Sequence, residues 1–445
     1  MTLEMQELAQ SILARADSTR QEVEVYTVKQ KSLQVEVSDG QVETLREAQQ
    51  IGVGIRVIHG GRLGLAFTTC RDSESLEDTL RLAIANAQSA SVDEYNTLPA
   101  SQPPKPMELL DPALAKIPVD AKIEFANNVE KAARTHDPRV TKVRQATYGD
   151  VIYQVGICNS RGVDVGYEGG YCVASLLVIA EDAGQSEMGW SYDFARSFDG
   201  LDSIKVGREA AAKAVGMLGA SSVATCRVPI LLAPEVATDF LDVLGPALTA
   251  EAVQKGKSLF AGKLGKMVGS AKLNLIDSGL LPQGLATAPV DDEGVPSQST
   301  VLLDKGVLQT YLYNSYSAAR DGIESTGNGV RASFRGAVTT GPRNFYIQPG
   351  ELSQSELIAQ IPRGLYVNNV MGMHTANPIS GEFSVGASGL WIEQGQTVRP
   401  VRGVAIAGNL IDFLKNVVAV GKDLRFFGSV GSPSLLVEGI TLSGE

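Results

Sequence analysis

In the stretch "SLQVEVSDGQVETL", Leu33, Val35 and Val37 alternate with Gln34, Glu36 and Ser38, and Asp39-Gly40 interrupts the alternation. A period of two puts one apolar face on a strand, and Asp-Gly supplies the positive φ angles of a two-residue hairpin turn. The device recurs in "IGVGIRVIHGGRLGLAF", with Ile51, Val53, Ile55 and Val57 on one face and Gly60-Gly61 at the turn. Consecutive strands joined by two-residue turns can only be antiparallel, so the chain must contain an antiparallel meander. Helical spacing flanks it. Residues 3 to 16 bring Leu3, Leu8, Ile12 and Leu13 near one face, and residues 73 to 90 carry a stripe of Leu76, Leu80, Ala83, Ile84 and Ala87.

Between Leu98 and Pro118 stand six of the chain's 19 prolines, which predicts an extended connection. Asp120 is placed to cap a helix through "AKIEFANNVEKAAR". Strand patterns return from Val140 to Ala180 with turns expected at Ser160-Arg161-Gly162 and Gly169-Gly170, and a helix is expected over 203 to 217. Beyond Val223 the texture becomes strands and Gly-rich turns, broken by a helix that opens the stretch 238 to 262 and a short one near 354 to 361. The alternation of helix and strand is too irregular for a doubly wound sheet. The reading is α+β: an N-terminal domain, 1–220, of helices on an antiparallel sheet, and a β-rich C-terminal domain, 221–445.

The whole-chain numbers exclude several functions. At 445 residues, two or three domains are expected. The longest apolar runs fall far short of the roughly 20 residues of a membrane helix. Glu4 and Glu7 stand where a signal peptide would be basic, so a cytoplasmic location is expected. A net charge of −11 without basic runs argues against nucleic-acid binding. Four isolated cysteines, Cys70, Cys158, Cys172 and Cys226, read as buried, reduced thiols.

Motifs for chemistry are sparse. In "TDFLDVLGPALTAEAVQKGKSLFAG" the helix puts Phe240, Leu241, Leu244 and Leu248 on a core-facing stripe, and Pro246 should bend or end it. Gly256-Lys257-Ser258 imitates the end of a phosphate-binding loop, but Glu251 occupies the first glycine position, where a carboxylate would repel phosphate. Of the three histidines, His59 and His136 read as surface positions, and His374, in "MGMHTANPISGEFS", is the candidate for a functional imidazole. Asp291, Asp292 and Glu293 in "PVDDEGVPSQ" could bind Mg²⁺ or Ca²⁺, although such a run before Gly-Val-Pro more often marks a polar turn. No H-x-x-x-H pair or Cys/His cluster offers a zinc site, and no G-x-S-x-G elbow is present.

"STVLLDKGVLQTYLYNSYSAARDG", "STGNG", "SGEFSVGASGLWIEQG" and "PVRGVAIAGN" resemble the C-terminal domain of the TldD/PmbA family, and "PVDDEGVPSQ" resembles its D-x-E-G segment. "GASGLW" and the "SYSAARDG" run point to the PmbA branch, also called TldE. The TldD branch is a cytosolic zinc peptidase with H-E-x-x-x-H on a helix and a cysteine ligand near the C-terminus. Counting back from Lys255-Gly256 places Leu241, Asp242 and Pro246 where that motif has its first His, its Glu and its second His, and "FFGSVGSPSLLVEG" has no cysteine. The resemblance therefore implies no catalytic residue and no metal in this chain, with zinc in a TldD-like partner and unfolded or extended peptides as substrates. Asp292, Glu293, Gly294, His374, Ser380 and Gly381 are the groove or partner-contact candidates. The alternatives are a homodimeric peptide-binding or regulatory protein, the family's older association with modulation of DNA gyrase, and a hydrolase built from His374, Asp292 and Glu293.

Overall fold

The computed structural model describes residues 3–16 and 21–444. In the first half, strands β1 (Glu22–Ser38), β2 (Gln41–His59), β3 (Arg62–Thr68), β4 (Val140–Asn159), β5 (Asp164–Asp182) and β6 (Gln185–Ala195) form one sheet in the order β3-β2-β1-β4-β5-β6. Every pairing in it is antiparallel. The two turns are those the sequence called for: Asp39 and Gly40 have φ of 51° and 70°, and Gly60 and Gly61 55° and 77°.

Helices α1 (Glu4–Ala16), α2 (Ser73–Ser89), α3 (Val119–His136) and α4 (Ser203–Gly216) cover one face of this sheet. Val23 and Val25 of β1 pack with α1 and α2, and Leu33, Val35 and Val37 of the same face pack with α3 and α4. On α1 the buried residues are Met5, Ala9, Ile12 and Ala16; the expected Leu3, Leu8 and Leu13 are only half-buried beside them. Two local readings are corrected. Pro118, not Asp120, sits at the N-cap of α3 without a side-chain bond, and Asp120 lies in the first turn, where the helix dipole favours its charge. Gly169-Gly170 is no turn but the middle of β5: a Cβ on Gly169 would lie 2.4 Å from the Tyr153 hydroxyl, so glycine there permits a close approach.

The second half begins with β7 (Cys226–Leu232), α5 (Pro234–Ala247), α6 (Ala250–Gln254), β8 (Leu275–Ser278), β9 (Ser299–Asp304), β10 (Val307–Leu308), α7 (Ser315–Asp321), β11 (Gly329–Val330), β12 (Thr339–Thr340) and β13 (Asn344–Ile347). It continues with α8 (Gln354–Ala359), β14 (Arg363–Met371), β15 (Glu382–Glu393), β16 (Gln396–Asn409), α9 (Leu410–Lys415), β17 (Val417–Val420), β18 (Arg425–Phe427), β19 (Val430–Ser432) and β20 (Leu435–Ser443). One sheet runs β16-β15-β14-β7-β20-β17 and closes through a β16–β20 pairing, so five of its strands form a barrel that removes its free edges. The second runs β10-β9-β8-β13-β19-β18. Helix α5 is buried between them: Phe240 stacks on Phe413 at 4.6 Å and meets Phe383 edge-on at 5.3 Å, with Leu241, Leu244 and Leu248 in the same core. The fold is thus α+β with a β-rich second half.

Candidate functional site: a cleft between the N-terminal sheet and the barrel

Adjacent residues of a strand point to opposite faces, so Glu24 and Tyr26 look away from the helices and toward the second half. Glu24 and Arg56, from the neighbouring strand β2, are both buried. Arg56 binds Glu24 at 2.6 Å and Glu293 at 2.8 Å, and Arg331 also pairs with Glu24. The second Glu293 oxygen accepts from the Ser315 amide at 2.8 Å. Two arginines and two carboxylates thereby join the halves beneath the sheet, beside an apolar contact of Tyr26, Val155 and Ile157 with Val290 and Phe334.

The "PVDDEGVPSQ" carboxylates are held by backbone amides and, for Glu293, by Arg56. Asp291 accepts from the amides of Glu293, Val295 and Gly329, and Asp292 from that of Arg331. Burial, with Glu293 alongside, pushes the Asp291 carboxyl upward. Gly294 is buried with φ of +86°. Asp292 is only half-buried, but Glu293 and Gly294 are enclosed and can act on a ligand only by holding the segment in place.

His374, Ser380 and Gly381 fall together in the loop joining β14 to β15. A 3₁₀ turn, Met373–Thr375, leaves His374 exposed. Asn377 folds the remainder: its side-chain oxygen accepts from Ile379 and Ser380, and its carbonyl from Gly381 at 2.8 Å. Gly381 accepts from Leu410 and Pro378 from Leu259, so the loop rests on the start of α9 and on the "KGKSLFAG" segment. That segment is a structural cap: buried Ser258 donates to the Ala247 carbonyl at the end of α5. His374 lies in this surface loop, whereas Glu293 is buried in the joint. Among the described residues no group of three or more His, Cys, Asp or Glu is placed to hold a metal ion.

On α5, Leu241 is 1% exposed in the core, whereas Asp242 and Pro246 are exposed on its outer face. A core leucine and a proline supply no ligand atom, so a zinc ion does not fit these residues. Glu235, Asp239 and Asp242 line up at i, i+4 and i+7 on the outer face. Burial, then Glu235 and Asp242, pushes Asp239 up to about 6, and burial raises Asp242 as well.

This face leads into a cleft of about 470 Å³ between the free edge of the N-terminal sheet and the barrel. Its apolar lining includes Met188 and Trp190 of β6, Met217 after α4, and Met371 at the end of β14. Ion pairs of Arg402 with Glu187 and of Lys213 with Glu235 link the two walls. Met188, Trp190, Tyr192 and Phe194 alternate along β6, with Trp190 and Tyr192 stacked at 5.9 Å and Phe427 of β18 6.3 Å from Trp190. That period-two pattern is legible in "EMGWSYDF", beyond the strands expected from Val140 to Ala180. Nothing in the sequence marked Glu24, Arg56 and Arg331 as a unit. Of the cysteines, Cys158 and Cys172 are buried as expected, but Cys70 is exposed; all four are free thiols.

The fold, a long antiparallel sheet seated on a barrel with a helix buried beside the cleft between them, is similar to that of TldE from Thermococcus kodakarensis, with a TM-score of 0.92 at 25% identity, covering 98% of this chain and 100% of that one. The chain is 30% identical to the metalloprotease PmbA homolog of Haemophilus influenzae over 99% of this chain and 97% of that protein. It is also 28% identical to metalloprotease PmbA of Escherichia coli over 99% and 96%. Sequence profiles of PmbA/TldA metallopeptidase domain 1, the central domain and the C-terminal domain match residues 23–87, 112–218 and 225–444. The chain belongs to the PmbA/TldD metallopeptidase family.

Proposed function

We propose that this chain is the metal-free, TldE-type subunit of a cytosolic zinc peptidase, working beside a TldD-type chain that carries H-E-x-x-x-H and the zinc, on unfolded or extended peptides. The observation that carries the reading is the state of α5: its first motif position is a core leucine, its third is a proline, and no imidazole stands on the helix. Zinc catalysis needs the acidified water that the metal supplies, and no residue of α5 replaces that function. No helix among the described residues is long and apolar enough to cross a membrane, in keeping with work on dissolved peptides.

Zinc content and peptide hydrolysis should be measured on the purified chain alone and after co-expression with a TldD-type chain. About one zinc per heterodimer, with cleavage only by the pair, is the expected result. Stoichiometric zinc or turnover by the lone chain would sink the reading. One observation favours a second reading, a homodimeric peptide-binding protein: the outer edge of β2 from Gln41 to Gln50 is exposed, because β3 pairs only from Val53 onward. A stable homodimer that ignores the TldD-type chain in light scattering would select it.

A further inference from the structure

The edge of β6 is open where it borders the cleft. Successive residues of a strand send their backbone groups to opposite sides. The Tyr192 carbonyl points away from β5, since it accepts from Arg425 at 2.8 Å. The amides and carbonyls of Trp190 and Met188, two and four residues earlier, therefore point the same way, and among the described residues nothing pairs with them. Such an edge is a template for an added strand.

Beside this edge lies the apolar part of the cleft. Met188 is 67% exposed, Met371 65% and Trp190 36%, a concentration of large apolar surface around one concavity. Methionines adapt to side chains of different shape, which suits a site that accepts many sequences. On the barrel wall, Asn368 is the extra residue of a bulge in β14, opposite neither Gly389 nor Ser388 of β15. Its side-chain oxygen is buried in the cleft lining without a hydrogen-bond partner, an acceptor awaiting a donor. The rim charges Arg402–Glu187 and Lys213–Glu235 neutralise each other, but Asp239 and Asp242, continuing the α5 face from Glu235, have no cationic partner among the described residues.

We infer that this cleft is a docking site for an extended peptide: the peptide adds a strand to β6 at Met188 and Trp190, seats a Leu-, Met- or Phe-type side chain between Met188 and Met371, and places a basic residue toward Asp239 and Asp242. The inference rests on the peptide-substrate reading above but assigns the binding to this chain's own residues, apart from any metal site.

Trp190 and Trp391 are the only tryptophans, and Trp391 is buried in the barrel. A Trp391→Phe chain thus makes Trp190 a local reporter. The probe is a nine-residue unstructured peptide with a central Leu and Lys on both sides, titrated into the full chain without a partner. Its binding should shift Trp190 emission. Asp in place of the central Leu, Met188→Asp or Met371→Asp should each weaken binding by about tenfold or more, the effect of one lost buried apolar contact. N-methylation of the peptide at alternate amides should abolish binding in one register and spare it in the other, and Asp239→Asn with Asp242→Asn should flatten its salt dependence. Unchanged Trp190 emission at saturating peptide, or indifference to both methionine variants, overturns the proposal. Co-purification with a TldD-type chain tests the subunit reading separately: loss of docking with co-purification intact removes the docking site alone, and the converse removes the subunit role alone.

Discussion

Arg56 is the residue on which the union of the two halves most depends. It faces Glu24 and Glu293 at once, and all three are nearly inaccessible to water. Removing one partner from a buried ionic set leaves a charge without compensation, which costs roughly 3–5 kcal/mol. Arg56→Leu should therefore lower the free energy of unfolding in urea by about that amount, whereas Glu293→Gln, which keeps the hydrogen-bonding shape, should cost less. A loss below about 1 kcal/mol for Arg56→Leu would mean that Arg331 and the backbone amides compensate both carboxylates without it. A second residue-scale prediction follows from Gly189, where a Cβ would lie 2.0 Å from the Ala210 carbonyl of α4. Gly189→Ala should push α4 away from β6 and lower the melting temperature, with Trp190 emission changing alongside.

At the scale of the element, α5 packs one face into the core and carries charge on the other. Its inward stripe, Phe240, Leu241, Leu244 and Leu248, packs the barrel core, and Pro246, which has no N–H for the Asp242 carbonyl, stands one residue before the helix ends at Ala247. The outward stripe gathers three carboxylates at a cost. Asp239 has a folded pKa of about 6 against an ordinary 3.8, so the folded chain holds its proton more tightly than the unfolded chain does. Stability from this group is full below the unfolded value and declines as pH rises toward 6, above which the penalty is complete. Asp239→Asn should raise the melting temperature near neutral pH, on the order of 2 °C, and leave it unchanged near pH 4. An equal gain at both pH values would show that charge is not the cause. A stabilising substitution that also weakens docking of a basic peptide is the pattern expected where a site retains a strained charge for binding.

For the whole molecule, the buried joint and the apolar contact beside it oppose independent unfolding of the halves. Trp190 reports on the N-terminal sheet and Trp391 on the barrel. In single-tryptophan chains their urea midpoints should coincide, and Arg56→Leu should shift both together. Two separated midpoints would mean that each half melts on its own and that the joint orients the domains without coupling them.

Local and periodic features were legible from the residues alone. The Asp39-Gly40 and Gly60-Gly61 turns, the stripes of α2 and α5 and the family motifs depend on neighbours within a few positions, whose backbone angles and side-chain faces are set by local chemistry. That no histidine stands between His136 and His374 likewise needed no coordinates to show that α5 carries no imidazole. The tertiary structure alone decided where the charged residues went. Glu24 and Arg56 alternate with apolar neighbours as solvent-facing residues would, and they are buried only because the second half packs on that face, more than 230 residues along the chain. The same packing set Met371 beside Met188 and left the edge of β6 open, since a cleft between distant segments depends on how they dock and not on what lies beside each in sequence.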